Sequence, residues 1–141
     1  MLSNRFKRLT LATIPTVFIL SSCGVDGVSS GTDLSSKTPD IEVSCSTMLS
    51  EIDANEARAV KKYDNKVIQI SGRVSSIDED MFGETVVNLS SGQEYSFTNC
   101  GLNDVDEETA ISLDKGTIVS FKCKGFTEVI GSAMLDNCSL L

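Results

Sequence analysis

The 141-residue chain contains no histidine. Most zinc sites, the Ser-His-Asp and Cys-His nucleophile systems and most general bases tuned near neutrality depend on that side chain, so its absence removes the commonest catalytic classes. Basic residues are scarce as well, with 12 Lys and Arg against 20 Asp and Glu. Arg5, Lys7 and Arg8 sit in an N-terminal segment built like a cleaved leader. Without them nine basic residues face twenty acids, a net charge of −11. A surface of that sign repels polyanions and offers nucleic acid or acidic lipid no general attraction. A long hydrophobic run is missing too: Leu9 to Leu20 gives about twelve apolar-rich residues where a spanning helix needs roughly 20.

What is present at the N-terminus has an order. The basic cluster precedes the apolar run, which ends in Leu20-Ser21-Ser22-Cys23. This is the plan of a secretion signal. Its last four residues resemble a bacterial lipobox, which implies that Cys23 receives a diacylglycerol and becomes the new N-terminus. Gly24 after it implies outer-membrane sorting in a cell with two membranes. The expected partner of Cys23 is therefore the lipid bilayer, with the domain facing the periplasm or the exterior. Residues 24–40 are rich in Gly, Ser and Thr with no sustained apolar period, as in a flexible tether. The expected division is residues 1–22 as signal peptide, 23–43 as lipidated cysteine and tether, and 44–141 as one folded domain.

Within that domain, Lys66 to Ile77 carries the strongest pattern. Ile68, Ile70, Gly72 and Val74 alternate with Gln69, Ser71, Arg73 and Ser75 at the period of a half-buried strand. Gly72 marks a bend or bulge, as expected of a strand that serves both sheets of a small barrel. Before it, Ser44 to Tyr63 reads as a helix, capped by Ser44 or Ser46, with Leu49, Ile52, Ala59, Val60 and Tyr63 as its apolar stripe. After it come strands at Thr85–Leu89 and Glu94–Cys100, the latter with Tyr95 and Phe97 facing inward. A short helix capped by Asn103 follows, then strands at Thr117–Lys124 and Ala133–Leu141. Three strands, a helix and two strands make a mainly β chain in the order of a five-stranded OB-fold Greek-key barrel.

Asn55-Glu56-Ala57 with Tyr63, Gly72-Arg73-Val74, Lys115-Gly116-Thr117-Ile118-Val119, Gly125 and Leu135-Asp136-Asn137-Cys138 together resemble the tRNA_anti-like family of bacterial lipoproteins, named for its OB-fold. The resemblance runs from about Ser46 to Leu141. It implies fold and export, and carries no catalytic residues over. Cys45 departs from the pattern.

After lipidation of Cys23, four cysteines remain in an oxidising compartment: Cys45, Cys100, Cys123 and Cys138. An even count there implies two disulfides, and four cysteines allow three pairings. A hairpin of the last two strands favours Cys123 with Cys138 and leaves Cys45 with Cys100. Cys100 with Cys138 is the second choice. Asp78-Glu79-Asp80 and Asp104-Asp106-Glu107-Glu108 lack the twelve-residue EF-hand spacing, so loop solubility and helix capping explain them better than metal. Tyr95, Phe97 and Phe121 read as core rather than as a stacking platform for bases. Arg73, Lys122 and Lys124, outward on the first and fourth strands, form a modest basic patch suited to an anionic headgroup or glycan. The expected function is binding or structural, for a small ligand, a glycan or another envelope protein, with no cofactor, no metal and no catalysis. Oligonucleotide binding is the alternative, on fold alone.

Overall fold

The computed structural model describes residues 32–141. Cys23, the leader and the first part of the expected tether lie outside the described residues. The chain forms β1 (Ile41–Ser44), α1 (Cys45–Ala54), α2 (Glu56–Tyr63), β2 (Val67–Glu79), β3 (Thr85–Ser90), β4 (Phe97–Leu102), α3 (Glu107–Ile111), β5 (Ile118–Lys124), β6 (Phe126–Val129) and β7 (Ser132–Leu140).

β2 organises the barrel because both of its edges are used. One edge pairs antiparallel with β5 from Val67 to Arg73. The other pairs parallel with β1 from Ile68 to Ser71, then antiparallel with β3 from Arg73 to Glu79. β3 pairs with β4, β4 runs parallel to β7, and β7 returns antiparallel to β5, closing the circuit. Five of the strands thus make an OB barrel in the expected order. Among the described residues the strand count is seven, however, not five. β1 is the parallel addition on β2, and β6 is a hairpin arm on β7. Both have four residues, too short for period alone to reveal.

Two features of β2 that the sequence merged into one are separate. The bulge lies between Val74 and Ser76. Gly72 answers to a close approach instead: a Cβ there would stand 3.0 Å from Cys45 Cβ and 3.1 Å from Leu89 Cβ. The missing side chain lets α1 and β3 press against the strand together.

Several boundaries differ from expectation for local reasons. The long helix is two helices, because Asn55 leaves the helical region and its side chain accepts from Arg58 N, capping α2. Ser44 is the cap of α1, accepting from Thr47 N at 3.1 Å. Asn103 is not the cap of α3; it is buried, and its amide donates to Ser139 Oγ at 2.8 Å while its oxygen accepts from Asp106 N. β4 has the opposite facing from the one expected. Thr98, Cys100 and Leu102 point inward, Phe97 is half-buried on the outer side, and Tyr95 is 87% exposed with φ of 65°. A left-handed residue just before the strand shifts the alternation by one, which moves every side chain to the other face.

The ordered domain also begins earlier than residue 44. Leu34 is 2% exposed, and its N–H donates to Ser139 Oγ at 2.8 Å. Asp40 exchanges two hydrogen bonds with Val67, through its own N–H and through its carboxylate. The segment that composition marked as tether has one apolar residue with a place in the core, and it uses it. The rest of the core joins Met48, Leu49 and Ile52 of α1 with Tyr63, Ile68, Ile70, Val74, Val87, Leu89, Phe121 and Leu135.

Candidate ligand pocket

Where the edge of β2 passes from β1 to β3, the strands are held apart by the turn from β1 into α1. The registers place two cross-strand rows there, Ser44–Ser71–Ser120 and Ser90–Arg73–Ile118. Both rows face outward, since the alternate positions Ile70, Phe121 and Val119 are buried. The result is a cavity of about 330 Å³ lined by Ser44, Ser46, Ser71, Ser90, Ser91 and Arg73, with Ile118 as its exposed apolar wall. Among the described residues no acidic side chain lines it, in a chain that is otherwise strongly acidic.

Arg73 Nη1 donates to Gly116 O at 2.7 Å, which holds the guanidinium against the turn before β5. A guanidinium carries five N–H donors, so the rest of the fork is available for a carboxylate or phosphate. Ser44 Oγ is tied to the first turn of α1, donating to Thr47 Oγ1 at 2.8 Å and lying 3.0 Å from Ser46 Oγ. The arrangement combines one positioned cation with several hydroxyls. That can bind an anion or a hydroxyl-rich molecule; it contains no activated nucleophile.

The other two members of the expected basic patch are elsewhere. Lys122 stands four residues along β5 from Ile118, roughly 13 Å at strand rise. Its ammonium donates to Ser35 O at 2.6 Å, under the N-terminal segment. Lys124 lies beyond it, opposite Val67. Among the described residues Arg73 is thus the one cation at this cavity, and its neighbours are the serines that sequence reasoning passed over. The signal available was the outward alternation of Ser71 beside Arg73, which gives no hint of Ser44, Ser46, Ser90 or Ser91.

The cysteines are half as expected. Cys123 and Cys138 form a disulfide, continuing the β5–β7 register across from Lys122 and Ser139. Cys45 and Cys100 are free and buried, so neither the pairing of Cys45 with Cys100 nor that of Cys100 with Cys138 is formed. Cys45 is already engaged, its thiol donating to Leu89 O at 3.2 Å and to Thr98 Oγ1 at 3.3 Å. Burial raises the pKa of both thiols, which keeps them protonated and unreactive. The sulfur atoms of Cys100, Cys123 and Cys138 lie within 4.8 Å of one another, but two of them are spent in the disulfide.

The acidic clusters are occupied locally. Asp80 Oδ1 accepts from the N–H groups of Phe82 and Glu84, Asp78 accepts from Ser76 and Asn88, and Glu107 accepts from Thr85. On the outer face of β3 and β4 the exposed and half-buried positions are Val86, Asn88, Ser90, Phe97, Asn99 and Gly101, with no Lys or Arg among them.

The sequence matches the tRNA_anti-like family over residues 1–139. The chain belongs to that family. No curated protein matches it significantly in sequence. Among solved structures, this tRNA_anti-like chain is similar to a proposed nucleic acid-binding lipoprotein from Klebsiella pneumoniae subsp. pneumoniae, with a TM-score of 0.57 and 17% identity over 84% of this chain and 98% of that one. A second similarity, to the Stn1–Ten1 complex of S. pombe, has a TM-score of 0.41 and 21% identity over 52% and 57% of the two chains. At these identities the first likeness speaks for the OB-fold. Among the described residues no helix is long and apolar enough to cross a membrane.

Proposed function

We propose that this tRNA_anti-like protein is an exported lipoprotein, held to an envelope membrane through acylated Cys23, whose OB barrel is a non-catalytic binding module with its ligand site at Arg73. The lipobox-like end of the leader supports the anchor, since two or three acyl chains hold a protein far more firmly than one. The observation that carries the ligand site is a cavity free of acids, lined by serines around one positioned guanidinium. Its ligand bears a carboxylate or phosphate, or a group of hydroxyls, of small size.

Oligonucleotide binding is the competing reading. Exposed Tyr95 and half-buried Phe97 favour it, because bases stack on such rings, and so does the description of the Klebsiella relative. Against it, affinity for a polyanion comes largely from counterions displaced by clustered basic groups, and the outer face of β3 and β4 has none. One preparation tests these points. Full-length chain is extracted from membranes in detergent, its N-terminal peptide is weighed, and labelled single-stranded DNA and RNA are titrated at low salt. The expected results are a diacylglyceryl-modified Cys23 and no salt-sensitive binding. A free Cys23 thiol removes the anchor. Micromolar binding that fades with salt and with Arg73→Glu makes oligonucleotide binding the function.

A further inference from the structure

The cavity at Arg73 continues beyond its serines. Ser90 and Gly92 also line a second cavity of about 360 Å³, over Gln93, Tyr95 and Phe97. Ser46 and Ser91 also line a third of about 520 Å³, between the β3–β4 hairpin and α1, where Asp53 and Glu56 form the far wall. Gln93 and Tyr95 are common to the second and third. The three therefore adjoin one another as one trough around the hairpin, with Arg73 in the first cavity, Glu94 in the second, Asp53 and Glu56 in the third, and Tyr95 shared by the second and third.

Tyr95 has no evident role in the fold. It is 87% exposed and holds a left-handed φ of 65°, a conformation that is unfavourable for a side chain of its size. Its ring is presented to solvent rather than to the core, where a ligand can reach it.

We propose that the trough binds a saccharide chain, with a sugar ring lying on Tyr95, its hydroxyls donating to Asp53 and Glu56, and an acidic group at the chain's end held by Arg73. The proposal rests on reading the Arg73 cavity as a ligand site. The chemistry favours a saccharide over other polymers. Ionised carboxylates only accept hydrogen bonds, and sugar hydroxyls supply many donors. An aromatic ring offers an apolar face to the C–H side of a pyranose. A nucleic acid would bring repeated phosphates toward Asp53, Glu56 and Glu94, with Arg73 the one cation among the described residues that line the trough.

The test uses full-length chain in detergent micelles and calorimetric titration with three probes: N-acetylchitotetraose, the same oligomer with its reducing end oxidised to the aldonic acid, and gluconate. Both oligomers bind, the acid about tenfold more tightly through its charge-assisted contact. Tyr95→Ala weakens both by about tenfold or more, whereas Tyr95→Phe, which keeps the ring, does not. Arg73→Gln removes the advantage of the acid, so that the two oligomers bind with equal affinity. If gluconate binds through Arg73 and the oligomers bind no better, the trough is refuted while the cavity stands. If none of the three binds, both readings fall. Oligomer affinities unaffected by Tyr95→Ala overturn the proposal, and so does a single-stranded RNA that displaces them.

Discussion

Replacing Gly72 by alanine tests the account of how α1 and the barrel meet. The new Cβ would lie 3.0 Å from Cys45 Cβ and 3.1 Å from Leu89 Cβ, against an optimal carbon separation of about 3.5 to 4.0 Å. Neither neighbour can swing away, because a Cβ moves only with its backbone. Relief requires α1 to lift from β2 or β3 to shift. Overpacking of that kind costs about 1 to 3 kcal/mol, and two immovable contacts put the substitution in the upper half of that range. Alanine's better strand propensity returns at most about 1 kcal/mol. The expected net loss is about 1 to 3 kcal/mol, a fall of roughly 4 to 13 °C in the melting temperature of a domain this size. Gly101→Ala is the control. It is also a strand glycine, but its nearest atoms would be 3.5 Å and 3.6 Å away, in ordinary contact. Thermal and urea melts followed by circular dichroism compare the two. If Gly72→Ala is as stable as Gly101→Ala, close approach is not the reason for glycine at position 72.

Peptide mapping without reductant is expected to find the Cys123–Cys138 bond and two thiols, Cys45 and Cys100, that resist iodoacetamide until the protein unfolds. Replacing both bonded cysteines by serine should cost about 3 kcal/mol, the chain-entropy value for a loop of 15 residues. Alkaline stability should depend on Tyr63, whose pKa is raised above its ordinary 10 by burial and by donation to Glu51 Oε2. A group whose folded pKa is raised contributes fully below its unfolded value and loses that contribution above it, so stability should fall once pH exceeds about 10. Tyr63→Phe should flatten that fall, and an unchanged slope would count against it. Toward low pH the partner works the other way. Lys62 first and Tyr63 second hold Glu51 below the usual carboxylate range, so its contribution is present above the unfolded pKa and fades as pH drops through the folded one.

The barrel was legible because its longest strand alternates cleanly: Ile68, Ile70 and Val74 against Gln69, Arg73 and Ser75 leave little choice of face. The Cys123–Cys138 bond was legible because β5 and β7 were expected to pair antiparallel, which they do, although the hairpin partner of β7 is the short β6 and not β5. β4 was misread because both of its alternating sets can be buried; Thr98 becomes acceptable inside only when Cys45, from a different element, donates to it. β1 was hidden because its partner begins 27 positions later and its four residues are also plausible linker. The pocket was hidden most completely. Its serines come from β1, α1, β2 and the end of β3, and nothing in a serine announces a neighbour. Only the tertiary crossing of those elements turns scattered hydroxyls into a lining.

The docking of Leu34 changes what a pull on the N-terminal chain would do. Eleven positions separate Leu34 from Cys23, so under the proposed anchoring at Cys23 the pole carrying Leu34, Lys122 and Ser139 would lie at most about 40 Å from the lipid-bearing residue, even with the chain fully extended. Tension arriving from a membrane would be taken first by the Leu34–Ser139 and Ser35–Lys122 contacts, and next by the ladder of β1 on β2. α1, which walls the pocket, stands behind both. In the proposed anchored protein the N-terminal segment would act as strain relief, taking the load before it could distort the serines around Arg73.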